Sequence, residues 1–165
     1  MLQAFAPIVS PDSKVLILGT MPGVRSLQLQ QYYGHSGNHF WRLLFALFNQ
    51  PFSTDYQTRI NLLLQHKIAL WDVLSHCERE GSSDSKIQNE VVNDFNKFYK
   101  KHPHLKAVFL DSTTAKKLYD KHVGTGAHPQ LKFYLLPSPS GQHARMSFDE
   151  KLRAWQKIVA VLGEE

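Results

Sequence analysis

The chain has 165 residues, of which 42% are hydrophobic and 20% charged, enough apolar material for one domain with a sizeable core and too much for global disorder. Nineteen Lys and Arg against fourteen Asp and Glu leave a formal net charge of +5, and the pI near 9.3 favours a polyanionic partner such as nucleic acid, a phosphorylated metabolite or an anionic membrane. A single cysteine, Cys77, excludes an internal disulfide framework and any multi-thiolate metal site. Met1 to Ser13 lacks a basic segment followed by an apolar run, and no stretch approaches the roughly 18 apolar residues of a membrane span. The expectation is a cytoplasmic monomer of one domain, 1–165, with no membrane partner.

In chain order, four short apolar runs are each followed by turn residues and then a helical period: Val15–Leu18, Ile68–Trp71, Ala107–Leu110 and Phe133–Leu136. That alternation predicts an α/β fold, with three layers around a mainly parallel four-stranded sheet whose strands are buried on both faces. Two helices are expected after the first strand. One carries Phe40, Leu43, Leu44, Leu47 and Phe48, and the other runs from about Asp55 to Gln65 behind a Ser53-Thr54 cap. Further helices are expected from about Ile87 to Tyr99 and from Thr113 to about His122, with Gly81–Ser85 as a loop. Ser147 followed by Glu150 makes a capping box for a last helix carrying Leu152, Trp155, Ile158, Val159 and Leu162.

In open parallel sheets ligands bind beyond the carboxyl ends of the strands, where loops converge, so the four strand ends direct the search for a site. They carry Gly19-Thr20-Met21-Pro22-Gly23; Asp72, leading to Arg79 and Gly81-Ser82-Ser83; Asp111-Ser112-Thr113; and Pro137-Ser138-Pro139-Ser140-Gly141-Gln142-His143. The first loop is neither GxGxxG nor Walker A, which weakens dinucleotide and nucleoside triphosphate binding. It is equally compatible with a plain strand-to-helix turn. Tyr32 to Trp41 is dense in aromatics, imidazoles and one amide just before a helix. Aromatic faces stack on bases and an Asn amide both donates and accepts, although Phe40 and Trp41 also suit a helix core.

Together these segments resemble the uracil-DNA glycosylase superfamily. Gly19–Gly23 resembles its first motif, Gly37-Asn38-His39-Phe40-Trp41 resembles the Asn-(His/Arg)-Phe-Trp element of the mismatch-specific branch, and Leu136–Gly141 resembles the strand-intercalating motif. With Ser26-Leu27, Leu70–Leu74, Cys77, Arg79, Glu80, Gly81 and Ser82, the pattern is most similar to the hypoxanthine-DNA glycosylase family. The first motif departs from the mismatch-specific form, which has a catalytic Asn where this chain has Met21. A thioether cannot orient water, so the resemblance assigns the catalytic amide to Asn38.

The resemblance implies a monofunctional glycosylase acting on double-stranded DNA that contains a deaminated or mismatched base, with hypoxanthine the first choice and no cofactor or metal. Asn38 would position water below the sugar carbon. Tyr33 would stack on the flipped base, and the main-chain N–H groups of Thr20 and Met21 would hydrogen-bond its carbonyl oxygen, which hypoxanthine and uracil share and adenine lacks. Asp111 would orient a base edge or water, unless it or Ser112 simply caps a helix; Asp72 carries the same ambiguity. Ser138, Ser140, Gly141, Gln142, His143 and Arg145 would grip phosphates or enter the vacated stack, with Ser82 and Arg79 on the opposite side. His35 and His39 are candidates for protonating a purine. Competing expectations are excision of uracil, xanthine or mismatched thymine, a catalytically silent DNA-binding member of the same fold, and a small nucleotide binder.

Overall fold

All four apolar runs pair in one sheet of the computed structural model, which describes residues 1–142 and 145–164. With the short β1 (Leu2–Gln3) preceding them, β2 (Val15–Gly19), β3 (Ile68–Asp72) and β6 (Ala107–Leu110) lie parallel, and β7 (Lys132–Leu135) completes a four-stranded sheet in the order β3-β2-β6-β7. Every residue of β2, β3 and β6 is buried. The fourth strand differs from expectation: its two ends are exposed, whereas β3, the other edge strand, is bridged on its outer side by Ile8 pairing with Leu70.

Strand alternation divides the core in two. Val15, Ile17, Ile68, Leu70, Ala107 and Phe109 face one side, where α2 (Phe40–Leu47), α3 (Tyr56–Gln65) and α6 (Phe148–Leu162) cover them. Leu16, Leu18, Ala69, Trp71, Val108 and Leu110 face the other, against α4 (Phe95–Lys101) and α5 (Thr113–His122). The result is the expected three-layer sandwich. The capping box at Ser147 and Glu150 forms as predicted, and Trp155, fully buried, anchors α6 through an indole N–H donated to the Pro137 carbonyl.

Three local expectations are corrected. A short helix, α1 (Val24–Leu29), also follows the first strand, making three helices before β3. The cap of α3 is Asp55, whose carboxylate accepts from the Thr58 amide, while Ser53 bonds to Asp55 instead. The segment expected to be helical from Ile87 begins as a strand. After a single 3₁₀ turn at Asp84–Lys86, β5 (Gln88–Val92) pairs antiparallel with β4 (Leu74–Glu78), β1 pairs on the other edge of β4, and the helix starts only at Phe95. Ile87 and Val92 still reach the second core, so their apolar spacing is satisfied by a strand.

Candidate active site

The chain crosses from β2 to β3 on one side and later returns to β6 on the other, so the sheet has a switch point between β2 and β6. A cleft of about 810 Å³ opens there, lined by the ends of β2, β3 and β6 and by the loops around 20–26, 32–39, 82–84 and 138–142.

Its floor follows from strand register. Gly19 pairs with Asp72 across β2 and β3, and Asp111 follows Leu110, the partner of Leu18. The Asp111 amide donates to the Leu18 carbonyl and the Val73 amide to the Gly19 carbonyl, which fixes both acidic residues at the strand ends. A Cβ on Gly19 would lie 2.7 Å from Asp72 Oδ1, 2.7 Å from the Tyr33 hydroxyl and 3.5 Å from Asp111 Oδ2. Three polar groups thus converge on a residue that has to lack a side chain. Ser112, not Asp111, caps α5 by accepting from the Ala115 amide, which leaves the Asp111 carboxyl to the cleft, where it accepts from the Tyr33 hydroxyl.

Burial dominates the electrostatics of this floor. It raises the Asp111 carboxyl to about 7 despite the Tyr33 hydrogen bond, and pushes Asp72 well above the usual carboxylate range, with Asp111 and Asp84 adding repulsion and Arg79 opposing. Asp84, on the adjoining turn, is also raised by burial, against the Thr20 hydroxyl and Arg79. Tyr33 itself is held far above its ordinary value by burial and by Asp111, so its hydroxyl remains a donor.

Tyr33 sits in the left-handed region at φ 51°, an uncommon conformation for a tyrosine. Its neighbours hold it there. The Tyr32 amide donates to the Tyr56 hydroxyl, the Trp41 indole to the Tyr32 carbonyl, and the Gly34 amide to Ser26 Oγ at 3.0 Å. One face of the Tyr33 ring stacks on Phe40 at 3.9 Å, so Phe40 backs the aromatic from within the core while Tyr33 lines the cleft. Phe40 and Trp41 are both buried, as their place in a helix core requires.

Asn38 stands at the entry to α2. Its Oδ1 accepts from the Phe40 amide at 2.8 Å, an Asx contact that fixes the side-chain plane and leaves the oxygen a second lone pair. The amide is half-buried and lines the cleft. Thr20 and Met21 line it too, but the Met21 side chain packs into the second core. That accounts for a thioether in the first motif: here the side chain packs into the core.

The opposite wall is the loop after β7. Ser138 Oγ accepts from the Ser140 amide and Ser140 Oγ from the Gln142 amide, two successive hydroxyl turns that aim Gln142 into solvent. Gly141 packs so closely on the Gly37 carbonyl that any Cβ there would collide with it. Beneath this loop the fully buried Lys151 donates to the Ser140 carbonyl at 3.0 Å and lies 3.3 Å from His39 Nδ1, while the His39 amide donates to the Pro139 carbonyl. Sequence reasoning missed Lys151. Only its position in the apolar period of the last helix could have marked it.

Burial and the Lys151 charge lower the His39 imidazole below its ordinary value, and its Nδ1 faces the Lys151 ammonium, so His39 is placed to support the loop and not to donate a proton. His35 is exposed and its Nδ1 accepts from the Gly37 amide. Ser82 accepts from the Val24 amide, and Arg79 donates to the carbonyls of Pro22 and Gly81, so this pair clamps the first motif to the 79–86 loop. Arg145 is exposed after the tip and does not line the cleft. His143 lies outside the described residues. Among the described residues there is no cluster of three or more His, Cys, Asp or Glu arranged to hold a metal ion, and no helix long and apolar enough to cross a membrane.

Comparison with known proteins decides the family. The model of the uracil DNA glycosylase superfamily matches residues 6–159. The chain belongs to this superfamily. It is similar to two proteins named hypoxanthine DNA glycosylase. One, from Methanosarcina barkeri, is 42% identical over 110 residues, covering 66% of this chain and 70% of that protein. The other, from Methanosarcina acetivorans, is 34% identical over 157 residues, covering 94% and 96%. The solution NMR structure of a Methanosarcina acetivorans protein described as a candidate uracil DNA glycosylase superposes with a TM-score of 0.83 at 31% identity over 98% of both chains.

Proposed function

We propose that this superfamily member is a monofunctional DNA glycosylase that extrudes hypoxanthine from duplex DNA and hydrolyses its N-glycosidic bond, acting as a monomer. The observation that carries the reading is the Asn38 amide, pinned by the Phe40 N–H in the wall of a cleft that also holds an aromatic, Tyr33, and is flanked by a hydroxyl-rich loop ending in Gln142. Similarity to two hypoxanthine DNA glycosylases supports the choice of base.

Breaking the bond to C1′ builds positive charge on the sugar and negative charge on the base. The free lone pair of Asn38 Oδ1 accepts from a water and orients it toward C1′. An amide orients and does not strongly deprotonate, so turnover is modest. The extruded base stacks on the face of Tyr33 opposite Phe40, and the main-chain N–H groups of Thr20 and Met21 take its carbonyl oxygen. Ser138, Ser140 and Gly141 shape the loop that meets the backbone, and Gln142 fills the vacated stack.

The test is base release from a duplex containing one deoxyinosine, with uracil and xanthine duplexes alongside, for the parent and Asn38→Ala. The expected result is hypoxanthine release that falls about 100-fold or more in the variant while duplex binding persists, the scale seen when one preorganised hydrogen-bonding group is removed. Preferential release of uracil or xanthine reassigns the base. Absence of any release, with binding intact, reassigns the chain as a DNA-binding protein.

A further inference from the structure

The proposed function uses Asn38, Tyr33 and the first-motif amides but leaves Asp72 idle. Asp72 is 4% exposed at the end of β3, on the floor of the cleft. Its carbonyl is held by the Asn93 side-chain amide, and its Oδ1 packs against Gly19, yet its buried Oδ2 has no hydrogen-bonding partner among the described residues. Asp111, by contrast, has the Tyr33 hydroxyl as a donor. A buried carboxylate oxygen with no partner is costly, whereas a neutral carboxyl carries an O–H that can donate once an acceptor arrives.

The groups facing Asp72 come from four elements. Asp111 approaches from the end of β6, Asp84 from the turn after β4, Tyr32 and Tyr33 from the turn before α2, and Arg79 from the end of β4. Two carboxyls therefore oppose one guanidinium, and that guanidinium is already engaged with the Pro22 and Gly81 carbonyls. The surroundings favour the neutral acid.

Resting on the reading of the chain as a hypoxanthine glycosylase, we propose that Asp72 is its general acid and protonates N7 of the extruded purine. N7 is the most basic ring nitrogen of an N9-linked hypoxanthine. As the C1′–N9 bond breaks, its electron pair passes into the purine, the Asp72 O–H bond breaks and an N7–H bond forms, so the base leaves neutral. The water held by Asn38 forms the C1′–O bond and gives its proton to solvent, and the Asp72 carboxylate takes up a proton from solvent once the base has left, which restores the enzyme. Uracil has no equivalent basic nitrogen, so the acid serves purines selectively.

The experiment measures single-turnover release across pH from duplexes containing deoxyinosine or 7-deazadeoxyinosine, with the parent protein and Asp72→Asn. The parent is expected to release the 7-deaza base about 100-fold more slowly than hypoxanthine, within the range of general acid catalysis, and to lose the alkaline fall in rate on that substrate. Asp72→Asn is expected to lower hypoxanthine release by a similar factor, with no alkaline limb and with duplex affinity and melting temperature near the parent's. Equal parent rates on the two substrates overturn the proposal without any variant, and so does an Asp72→Asn protein with parental hypoxanthine release. A parent that releases no hypoxanthine overturns the functional reading, and this proposal with it.

Discussion

The floor of the cleft and its rim are built from different materials. Gly19, Asp72 and Asp111 stand at the ends of adjacent parallel strands, buried, and held by main-chain bonds across the sheet. The rim consists of turns: those at Ser36–Asn38 and Ser138–Gln142 are held by side chains that bond to the main chain two residues away, and the one at Ser82–Asp84 is tied to the first motif through Ser82 and the Val24 amide. Of the three carboxyls that line the cleft, Asp72 and Asp111 stand on the floor and Asp84 on the adjoining rim turn, in a chain whose net charge is +5. An ionised acidic floor would repel a polyanion. Burial holds the Asp72 and Asp111 carboxyls well above the usual carboxylate range, so they oppose the approach of phosphates less than ionised carboxylates would.

The floor should tolerate the least change. Gly19→Ala inserts a methyl 2.7 Å from both Asp72 Oδ1 and the Tyr33 hydroxyl, and neither can retreat easily, because one belongs to a buried strand end and the other is fixed by a strained turn. Base release is expected to fall about 100-fold, the cost of displacing positioned groups by around an ångström. With DNA docking at the rim, as proposed, duplex affinity should change little. A parallel loss of both would mean that floor and rim are not separable.

Much of this division was legible in the sequence, and the exceptions share a cause. The four strands, α2, α5 and α6 follow from local apolar periods and caps, and Asn38, Tyr33, Thr20 and Met21 were placed by motifs that the fold brings to one cleft. The segment after Ile87 departs from the expected helix because Ile87, Val91 and Val92 recur at a spacing that suits a helix, whereas β5 exists through pairing with β4, ten or more residues earlier. Lys151 was invisible for a similar reason. Its role comes from the Ser140 carbonyl and His39, reached from a different segment of the chain. Asp72 and Asp111 were visible as residues at strand ends, but only parallel register sets them on either side of Gly19.

A smaller effect should appear in stability against pH. The Asp111 carboxyl titrates near its ordinary value of 3.8 in the unfolded chain and at about 7 in the folded protein. Between these values the folded state holds a proton that the unfolded chain has lost. The group's contribution is therefore full below about pH 3.8 and declines as pH rises toward 7. Asp111→Asn does not titrate, so its melting temperature relative to the parent should climb from about pH 4 to about pH 7. A difference that stays constant across this range would show that Asp111 is not held neutral by burial.

The smallest effect belongs to Ser82 and bears most directly on what the rim does. Its exposure suggests a hydroxyl that grips phosphate, but Ser82 Oγ accepts from the Val24 amide at 2.8 Å, and a Cβ on Gly23 would lie 3.2 Å from it, so the side chain packs against the first motif. Ser82→Ala removes one exposed neutral hydrogen bond, worth about 0.5–1 kcal/mol in stability. A clamp with this role predicts a slight drop in melting temperature and duplex affinity within about twofold of the parent, because 1.4 kcal/mol would be needed for tenfold. A phosphate contact predicts the reverse, with melting unchanged and affinity reduced more steeply than the hydrogen bond's worth in stability. Measured together, the two quantities show whether the 79–86 loop touches DNA through this serine or only holds the loop that does.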